Sequence, residues 1–336
     1  MDRQQRAVSG NPAGVVTRQL DGGAAPGAGS RAAGRRLDGA LMSKPHLHAT
    51  AALLWAWLAL TPTPSLASSA TDLLVKRSEL QPQLLARSYG EPLYLTSREG
   101  VDQMAGDAYA ELALPFAQLS GVLTSANSLC ELLFLHLNVR SCQAAPGPDG
   151  AQLTLTLGPK KVSAASTLHS MVYSMHVDVA TPSYLKVTMQ AAQGPMATSN
   201  YRIVFELLPI DDGHSFLHFS YGYGYGAMAK LSMNVYMATV GRSKIGFTRL
   251  GRDAQGQVRY IGGARASLER NVMRNYLALL AYCSVTSGTP AQQTEARLRQ
   301  WFKLTEQYAA QLHELDLDEY LLLKHADLVR VAALEK

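Results

Sequence analysis

The feature that most constrains the fold is a long run of alternating apolar and polar residues in the middle of the chain. Between Gly150 and Tyr225 the alternation recurs in five segments, several of them separated by turn-forming residues. Successive side chains of a strand point to opposite sides of a sheet, so each segment carries one apolar face. The pattern predicts an antiparallel meander with one buried face. The apolar positions are Leu153, Leu155 and Leu157; Met171, Tyr173, Met175, Val177 and Val179; Leu185, Val187, Met189 and Ala191; Tyr201, Ile203, Phe205 and Leu207; and those of His214 to Tyr225.

A strand followed directly by a helix precedes the meander. Apolar residues alternate from Gly106 to Phe116, and from Ala117 to Leu137 they recur every three or four residues, as on one face of a helix. Pro115 ends regular pairing, because proline has no N–H for the sheet. Similar patterns predict a short helix and an extended lead-in over 68–100, a helix over 227–240, a hairpin of Ile245–Leu250 with Val258–Ile261, and helices over Ser267–Cys283, Ala291–Leu312 and Asp316–Leu334, with Ser267 as an N-cap.

The start of the chain has the composition of a leader. Residues 1–41 are rich in Gly, Ala and Arg and contain no aromatic residue, which predicts disorder. From Met42, a lysine, an apolar run over Ala49–Leu60 and small residues ending at Ala67 match a secretory signal peptide over 42–67. We therefore expect Met42 to be the initiator, 1–41 to be upstream sequence translated in error, and the mature chain to start near Ser68.

Two alternatives remain for the apolar run. One is a signal anchor with a short cytoplasmic tail, and the other is a buried core helix. The run is shorter than the roughly 20 residues that cross a bilayer core. Cleavage would deliver the mature protein to a bacterial-type periplasm. The leader also explains the net charge of +5, because 1–41 carry +3 and Lys44 one more, which leaves +1 on residues 68–336. A nearly neutral body argues against a nucleic-acid partner.

The order of elements resembles the START-like (SRPBCC-type) helix-grip superfamily over about 100–285. A strand runs into a helix at Leu114-Pro115-Phe116, a long meander follows, and an apolar helix must then lie against it. The resemblance implies an α+β fold in which a curved antiparallel sheet wraps around a long helix and leaves an apolar cavity. Members bind lipids or sterols, or are cyclases or hydroxylase components. We expect a lead-in over 68–100, the helix-grip domain over 101–287 and a C-terminal helical extension over 288–336, in an exported bacterial branch.

A row of tyrosines is the first candidate for ligand contact. Tyr221, Tyr223 and Tyr225 alternate with glycines, so their rings share one strand face with Phe219. They are candidates to line the cavity and orient a polar group of a ligand with their hydroxyls. The alternative, which we favour, is a tyrosine-rich outer face whose glycines on the other side admit a packed helix.

Two arginines on the long helix are the second candidate. Arg270 and Arg274 lie one turn apart, and like charges at this spacing repel unless an anion answers them. A carboxylate of the protein would make the pair structural, and Glu269, Glu306 and Glu314 are available. An anionic headgroup at the cavity mouth is the alternative.

The cysteines and histidines add one structural prediction and no catalytic one. Cys130 and Cys142 can form a disulfide in an oxidising compartment, whereas Cys283 lies in an apolar stretch and is predicted to be a buried thiol. His214 and His218 share a strand face but lie roughly 13 Å apart, too far for one metal ion. No phosphate loop, zinc-protease motif or nucleophile elbow is present, so no cofactor, metal or catalytic residue is assigned.

These observations favour an exported, non-catalytic binding protein for a lipid or another hydrophobic, amphipathic or anionic small molecule. Peripheral contact with a membrane is a further expectation, and no protein partner is named. The rival classes are a cyclase-like or hydrolase-like enzyme using the same cavity, and an envelope protein whose C-terminal helices dock on a complex. A cavity above about 300 Å³ would favour the binder. A filled core would favour the docking protein, and a carboxylate or histidine with a base partner in the cavity would favour the enzyme.

Overall fold

Eight antiparallel strands form the main sheet of the computed structural model, which describes residues 66–160, 167–227, 230, 239 and 241–334. The strands are β1 Leu93–Glu99, β2 Gln103–Leu112, β3 Val139–Gly147, β4 Gly150–Leu157, β5 His169–Thr181, β6 Tyr184–Gln193, β7 Thr198–Pro209 and β8 Ser215–Tyr225. Their order across the sheet is β1-β2-β8-β7-β6-β5-β4-β3. The meander is therefore confirmed. Strand β8 pairs with β2, so all eight strands form one curved sheet in the helix-grip arrangement.

The sheet is wider at both edges than the sequence pattern predicts. β1 lies in the predicted lead-in and pairs with β2 from Leu93 opposite Ala110 to Glu99 opposite Met104. β3 pairs with β4 around the turn at Gly147 and Gly150. Buried and half-buried positions alternate in β1 from Leu93 to Ser97, whereas β3 is half-buried or exposed beyond Arg140 and shows no regular alternation. A separate two-stranded hairpin, β9 Arg249–Arg252 with β10 Val258–Tyr260, confirms the predicted hairpin.

The helices differ from the prediction mainly at their ends. Those described are α1 Leu66–Glu79, α2 Gln81–Leu85, α3 Phe116–Leu123, α4 Ala126–Phe134, α5 Gly263–Ser284, α6 Pro290–Glu306, α7 Ala309–Leu312 and α8 Leu317–Leu334. The prediction for 227–240 falls mostly on residues outside those described, as does the signal peptide, except that α1 includes its last two residues. None of the helices in the described part of the chain is long and apolar enough to cross a membrane.

The predicted helix Ala291–Leu312 is divided into α6 and α7, and local capping or backbone conformation explains three other boundaries. The single helix predicted over 117–137 is two helices, because the Ser125 side chain caps α4 by accepting a hydrogen bond from the Ser128 N–H at 3.2 Å. Ser267 is not an N-cap, since α5 begins four residues earlier, where Gly263 has a left-handed φ of +67° that favours glycine. Thr289 forms the complete capping box that starts α6.

Helix α5 packs on the inner face of the sheet at β1, β2 and β8. The helix and the sheet lie close together at Gly106 on β2, where an added Cβ would lie 2.9 Å from Val272 Cγ2 of α5. The predicted glycine contact with a helix therefore exists, but at Gly106 and not at the glycines of the tyrosine row. This approach fixes one side of α5 and leaves its other side facing the middle strands.

The C-terminal helices share the main core. Trp301 of α6 is buried and donates from Nε1 to the Arg274 carbonyl of α5 at 3.1 Å. Lys324 of α8 is fully buried. Its Nζ donates to the carbonyls of Phe134, His136 and Val139 at 2.5, 2.8 and 2.7 Å. Residues of 288–336 thus hold the connection between α4 and β3 in place.

A disulfide joins the same two elements. Cys130 of α4 and Cys142 of β3 are bonded, with their Cα atoms 5.1 Å apart, and Cys283 is a buried free thiol.

Reduction of the disulfide is expected to lower the free energy of unfolding by about 3 kcal/mol, because the cross-link closes a short loop in the unfolded chain. Chemical denaturation with and without dithiothreitol measures the effect. A Cys130→Ala/Cys142→Ala variant should match the reduced protein and stop responding to the reductant; a variant that still responds would contradict the prediction.

Candidate functional site

A cavity of about 680 Å³ lies between α5, α4 and the inner face of the sheet. It is bounded by side chains of α4, of β3 to β5, and of β7, β8 and α5, so it occupies the space that the wrapped sheet leaves beside the long helix. Its lining residues are Leu133, His136, Asn138, Val139, Leu155, Leu157, Gly158, Pro159, Thr167, His169, Met171, Tyr173, Pro195, Met196, Tyr201, Ile203, Tyr221, Asn271 and Asn275.

Most of the wall is apolar and comes from the predicted inward face of the meander. Leu155, Met171 and Ile203 are each at most 4% exposed. Met171 lies directly opposite Leu155 in the β4–β5 pair, and Leu133 adds the α4 side. Such a wall favours a largely hydrophobic occupant, because transfer of apolar surface out of water drives its binding.

Three tyrosines supply hydroxyl groups to the cavity. The hydroxyl of Tyr201 lies 2.7 Å from Thr198 Oγ1. The hydroxyls of Tyr173 and Tyr221 make no hydrogen bond to any residue in the described part of the chain. Burial raises the pKa of all three phenols, so each stays neutral.

A second polar group consists of a histidine and three asparagines. His136 Nδ1 accepts the Asn138 N–H at 3.1 Å, which places the ring proton on Nε2, and Asn271 lies beside its side chain. Burial lowers the pKa of His136 well below its usual value, and the positive charges of Arg274, Lys324 and Lys160 lower it further. The imidazole is therefore neutral. Asn275 Nδ2 donates to the Asn271 carbonyl at 2.9 Å.

The tyrosine row faces inward, so the outer-face interpretation is wrong. Tyr221 lines the cavity. Tyr223 packs on Tyr201 with ring centroids 5.2 Å apart, and its hydroxyl lies 3.6 Å from Met104 Sδ. Tyr225 is buried, and its hydroxyl donates to the Gly100 carbonyl at 3.1 Å. Of the three predicted tyrosines, Tyr221 lines the cavity, whereas Tyr223 and Tyr225 do not line it and support its wall.

The two arginines pair with a carboxylate of the protein. Arg270 and Arg274 are buried, and an Nη2 atom of each lies 3.2 Å from Glu314 Oε1. Lys244 Nζ lies 2.6 Å from Glu314 Oε2, and Lys160 also bonds Glu314. Burial alone would raise the pKa of Glu314, but these cations hold it at about 2.

Neither arginine lines the cavity, and Glu314 is the one of the three proposed carboxylates that answers them. Glu269 instead accepts hydrogen bonds from Ser97 and from the Phe247 N–H. The contacts agree with the structural alternative for the pair. A ligand anion at this place would have to share the arginines with Glu314.

A separate charged network lies on the outer face of the sheet. His218 contacts Asp107 Oδ1 through Nε2 at 3.0 Å and Glu206 Oε2 through Nδ1 at 2.7 Å, and Tyr109 stacks on its ring at 4.3 Å. The two carboxylates outweigh burial and raise the pKa of His218. His218 in turn outweighs burial of Glu206 and lowers its pKa to about 2.

His218→Asn is expected to lower the free energy of unfolding by about 1.5–3 kcal/mol, mainly between pH 4.5 and 6.5. The contribution of His218 is complete below its unfolded pKa of 6.5 and is lost as the pH rises through the higher folded value. The contribution of Glu206 is complete above 4.5 and is lost as the pH falls towards about 2. Urea titrations of both proteins across this range measure the difference; a difference that grows above neutral pH would contradict it.

The described residues contain no carboxylate in the cavity lining and no group of three potential metal ligands. His136 therefore faces the cavity with an amide partner and not with a carboxylate base. His214 pairs with Asp211 at 2.8 Å in an exposed turn, apart from His218.

The architecture is that of a helix-grip protein with an internal apolar cavity. No protein-family model and no curated protein matches the chain. Among solved structures, a point mutant of norcoclaurine synthase from Thalictrum flavum is 14% identical, with a TM-score of 0.30 over 42% of this chain and 84% of that one. The Zhui aromatase/cyclase of a Streptomyces species is 9% identical, with a TM-score of 0.28 over 65% and 94%. A conserved protein of Geobacillus kaustophilus is 18% identical, with a TM-score of 0.30 over 41% and 85%.

Likenesses at these scores assign no function, so the functional argument depends on the cavity itself. Sequence reasoning missed most of its polar lining. The available signal was a polar pair, Asn271 and Asn275, spaced one turn apart on an otherwise buried helix.

Proposed function

We propose that this protein binds a hydrophobic or amphipathic small molecule, such as a lipid, in the cavity beside α5 and does not transform it. The observation that carries the proposal is the cavity of about 680 Å³, within the usual range of roughly 300–1,000 Å³ for ligand sites. Its walls are largely apolar, and none of the described residues that line it is an aspartate, glutamate, lysine or arginine. The site suits an uncharged hydrocarbon body with one or two polar groups.

The arrangement of His136 supports binding over catalysis. A general base needs a free nitrogen near a reacting proton, and it is usually oriented by an acidic partner. Nδ1 of His136 already accepts from Asn138, and its other contact is Asn271. The imidazole is thereby held as a fixed hydrogen-bonding group of the wall.

A matched pair of variants on β5 tests the proposal. Met171 lines the cavity, whereas its neighbour Val172 is 42% exposed on the opposite face. Met171→Trp should weaken binding of the neutral apolar dye N-phenyl-1-naphthylamine by about 10-fold, because the indole occupies part of the cavity. Val172→Trp should leave it unchanged. Fluorescence titration measures both, and equal effects of the two substitutions, or no binding by the unaltered protein, would overturn the proposal.

We further propose that the protein is exported and acts in a periplasm. The signal-like sequence over 42–67 and the disulfide of Cys130 and Cys142 support this location, since disulfides persist in oxidising compartments. N-terminal sequencing of protein from the periplasmic fraction should find a start near Ser68. Native mass spectrometry of the same material, followed by lipid extraction, would identify a co-purified ligand. Full-length chain confined to the cytoplasm would contradict export.

A further inference from the structure

Two hydroxyl groups on the cavity wall have no protein partner. Tyr173 is 3% exposed and Tyr221 is half-buried, and neither hydroxyl makes a hydrogen bond to a described residue. A tyrosine hydroxyl in a protein interior normally finds a hydrogen-bond partner, and these two oxygens are open to the cavity, where a bound molecule can supply one. The other tyrosines beside them have one in the protein: Tyr201 bonds Thr198, and Tyr225 bonds Gly100. Among the tyrosines that line the cavity, Tyr173 and Tyr221 are therefore the two whose hydroxyls lack a partner in the described part of the chain.

Strand register brings these hydroxyls to one region of the wall. Tyr201 of β7 lies opposite Ala191 of β6. Ser174 lies opposite Gln190, so by the same register Tyr173 of β5 faces the other side of Ala191. Tyr173 and Tyr201 thus lie on either side of one small residue of β6, and both line the cavity. Tyr221 joins them from β8, with its ring centroid 6.2 Å from that of Tyr201.

We infer that the ligand carries an oxygen acceptor, such as a carbonyl, ester or hydroxyl oxygen, that receives a hydrogen bond from the Tyr173 or the Tyr221 hydroxyl. This inference depends on the proposed function and names the polar group of its ligand. A pure hydrocarbon would occupy the same space but leave both phenols unpaired. A ligand oxygen within reach of either hydroxyl supplies the missing acceptor and gains specificity, because a site built for a hydrogen bond rejects the analogue that lacks it.

Two probes of nearly equal size separate the oxygen from the hydrocarbon. In 2-acetylnaphthalene a carbonyl stands where 2-ethylnaphthalene has a methylene group. Tyr173→Phe/Tyr221→Phe should weaken binding of the ketone by about 10-fold and change binding of the hydrocarbon by less than about twofold. Competition with N-phenyl-1-naphthylamine measures both affinities. Tyr223→Phe is the control, because its hydroxyl contacts Met104 and does not line the cavity, and it should change neither affinity.

Stability distinguishes ligand contact from a structural role. Neither hydroxyl has a partner in the described protein, so the double variant should unfold at the same or a higher denaturant concentration than the unaltered protein. Equal weakening of both probes, or no weakening, would overturn the inference while binding in the cavity stands. Failure of every probe to bind either protein would overturn the proposed function as well.

Discussion

Glu314→Gln is expected to lower the free energy of unfolding by about 3–5 kcal/mol, since removing one member of a buried ion pair leaves the other charge without compensation. Glu314 contacts Arg270 and Arg274, both buried, and also Lys160 and Lys244. Without the carboxylate, Arg270, Arg274 and Lys244 repel one another at the junction of α5 with the segment before α8, and Lys160, whose pKa burial already lowers to about 7, loses its proton. Urea denaturation at neutral pH measures the loss.

The matched control is Glu306→Gln, which removes a carboxylate from an exposed pair with His313 at 3.0 Å. Exposed pairs contribute at most about 1 kcal/mol, so the control should unfold nearly as the unaltered protein does. A loss below 1 kcal/mol for Glu314→Gln would show that the arginines do not depend on this carboxylate. An anionic ligand would then again be a candidate partner for them.

Trp301→Ala is expected to cost about 3–5 kcal/mol and to keep unfolding a single transition. The indole is 2% exposed, packs on Tyr320 with ring centroids 5.1 Å apart, and bonds the Arg274 carbonyl. Truncation opens a space between α5, α6 and α8 and leaves that carbonyl unpaired. Because these helices share one core, the whole described unit should lose stability together.

Lys303→Ala on the same helix is the control, since Lys303 is exposed and its loss should change stability by less than about 0.5 kcal/mol. Denaturation followed by both circular dichroism and intrinsic fluorescence tests the cooperativity. Two separate transitions in Trp301→Ala, with only the first shifted, would contradict a shared core. The segment 288–336 would then be an extension able to unfold by itself.

The sequence predicted the fold far better than the site. Alternation over Met171–Val179 and Tyr201–Leu207 fixes which face of each strand is buried, and this face forms the apolar wall. Neither the hydrophobic periodicity nor the composition indicates which inward-facing residues line a cavity and which pack against other side chains. Whether Tyr221 lines the cavity and Tyr223 contacts Met104 depends on where α5 crosses the sheet.

Long-range pairing explains the remaining errors. Glu314 follows Arg270 by 44 residues, and nothing local distinguishes it from Glu269 or Glu306 as a partner. The helical pattern over Ala117–Leu137 includes His136. In the structure α4 ends at Phe134, and His136 lines the cavity from the connection to β3. Such positions are decided by tertiary contacts, which a pattern of period two or 3.6 does not contain.

The hydrogen bonds that Lys324 donates to the carbonyls of Phe134, His136 and Val139 connect the last helix to the cavity wall. Ligand occupancy that steadies His136 should therefore slow amide hydrogen exchange in α8, although α8 itself contributes no residue to the lining. A reporter dye attached to α8 could then sense a molecule bound in the cavity.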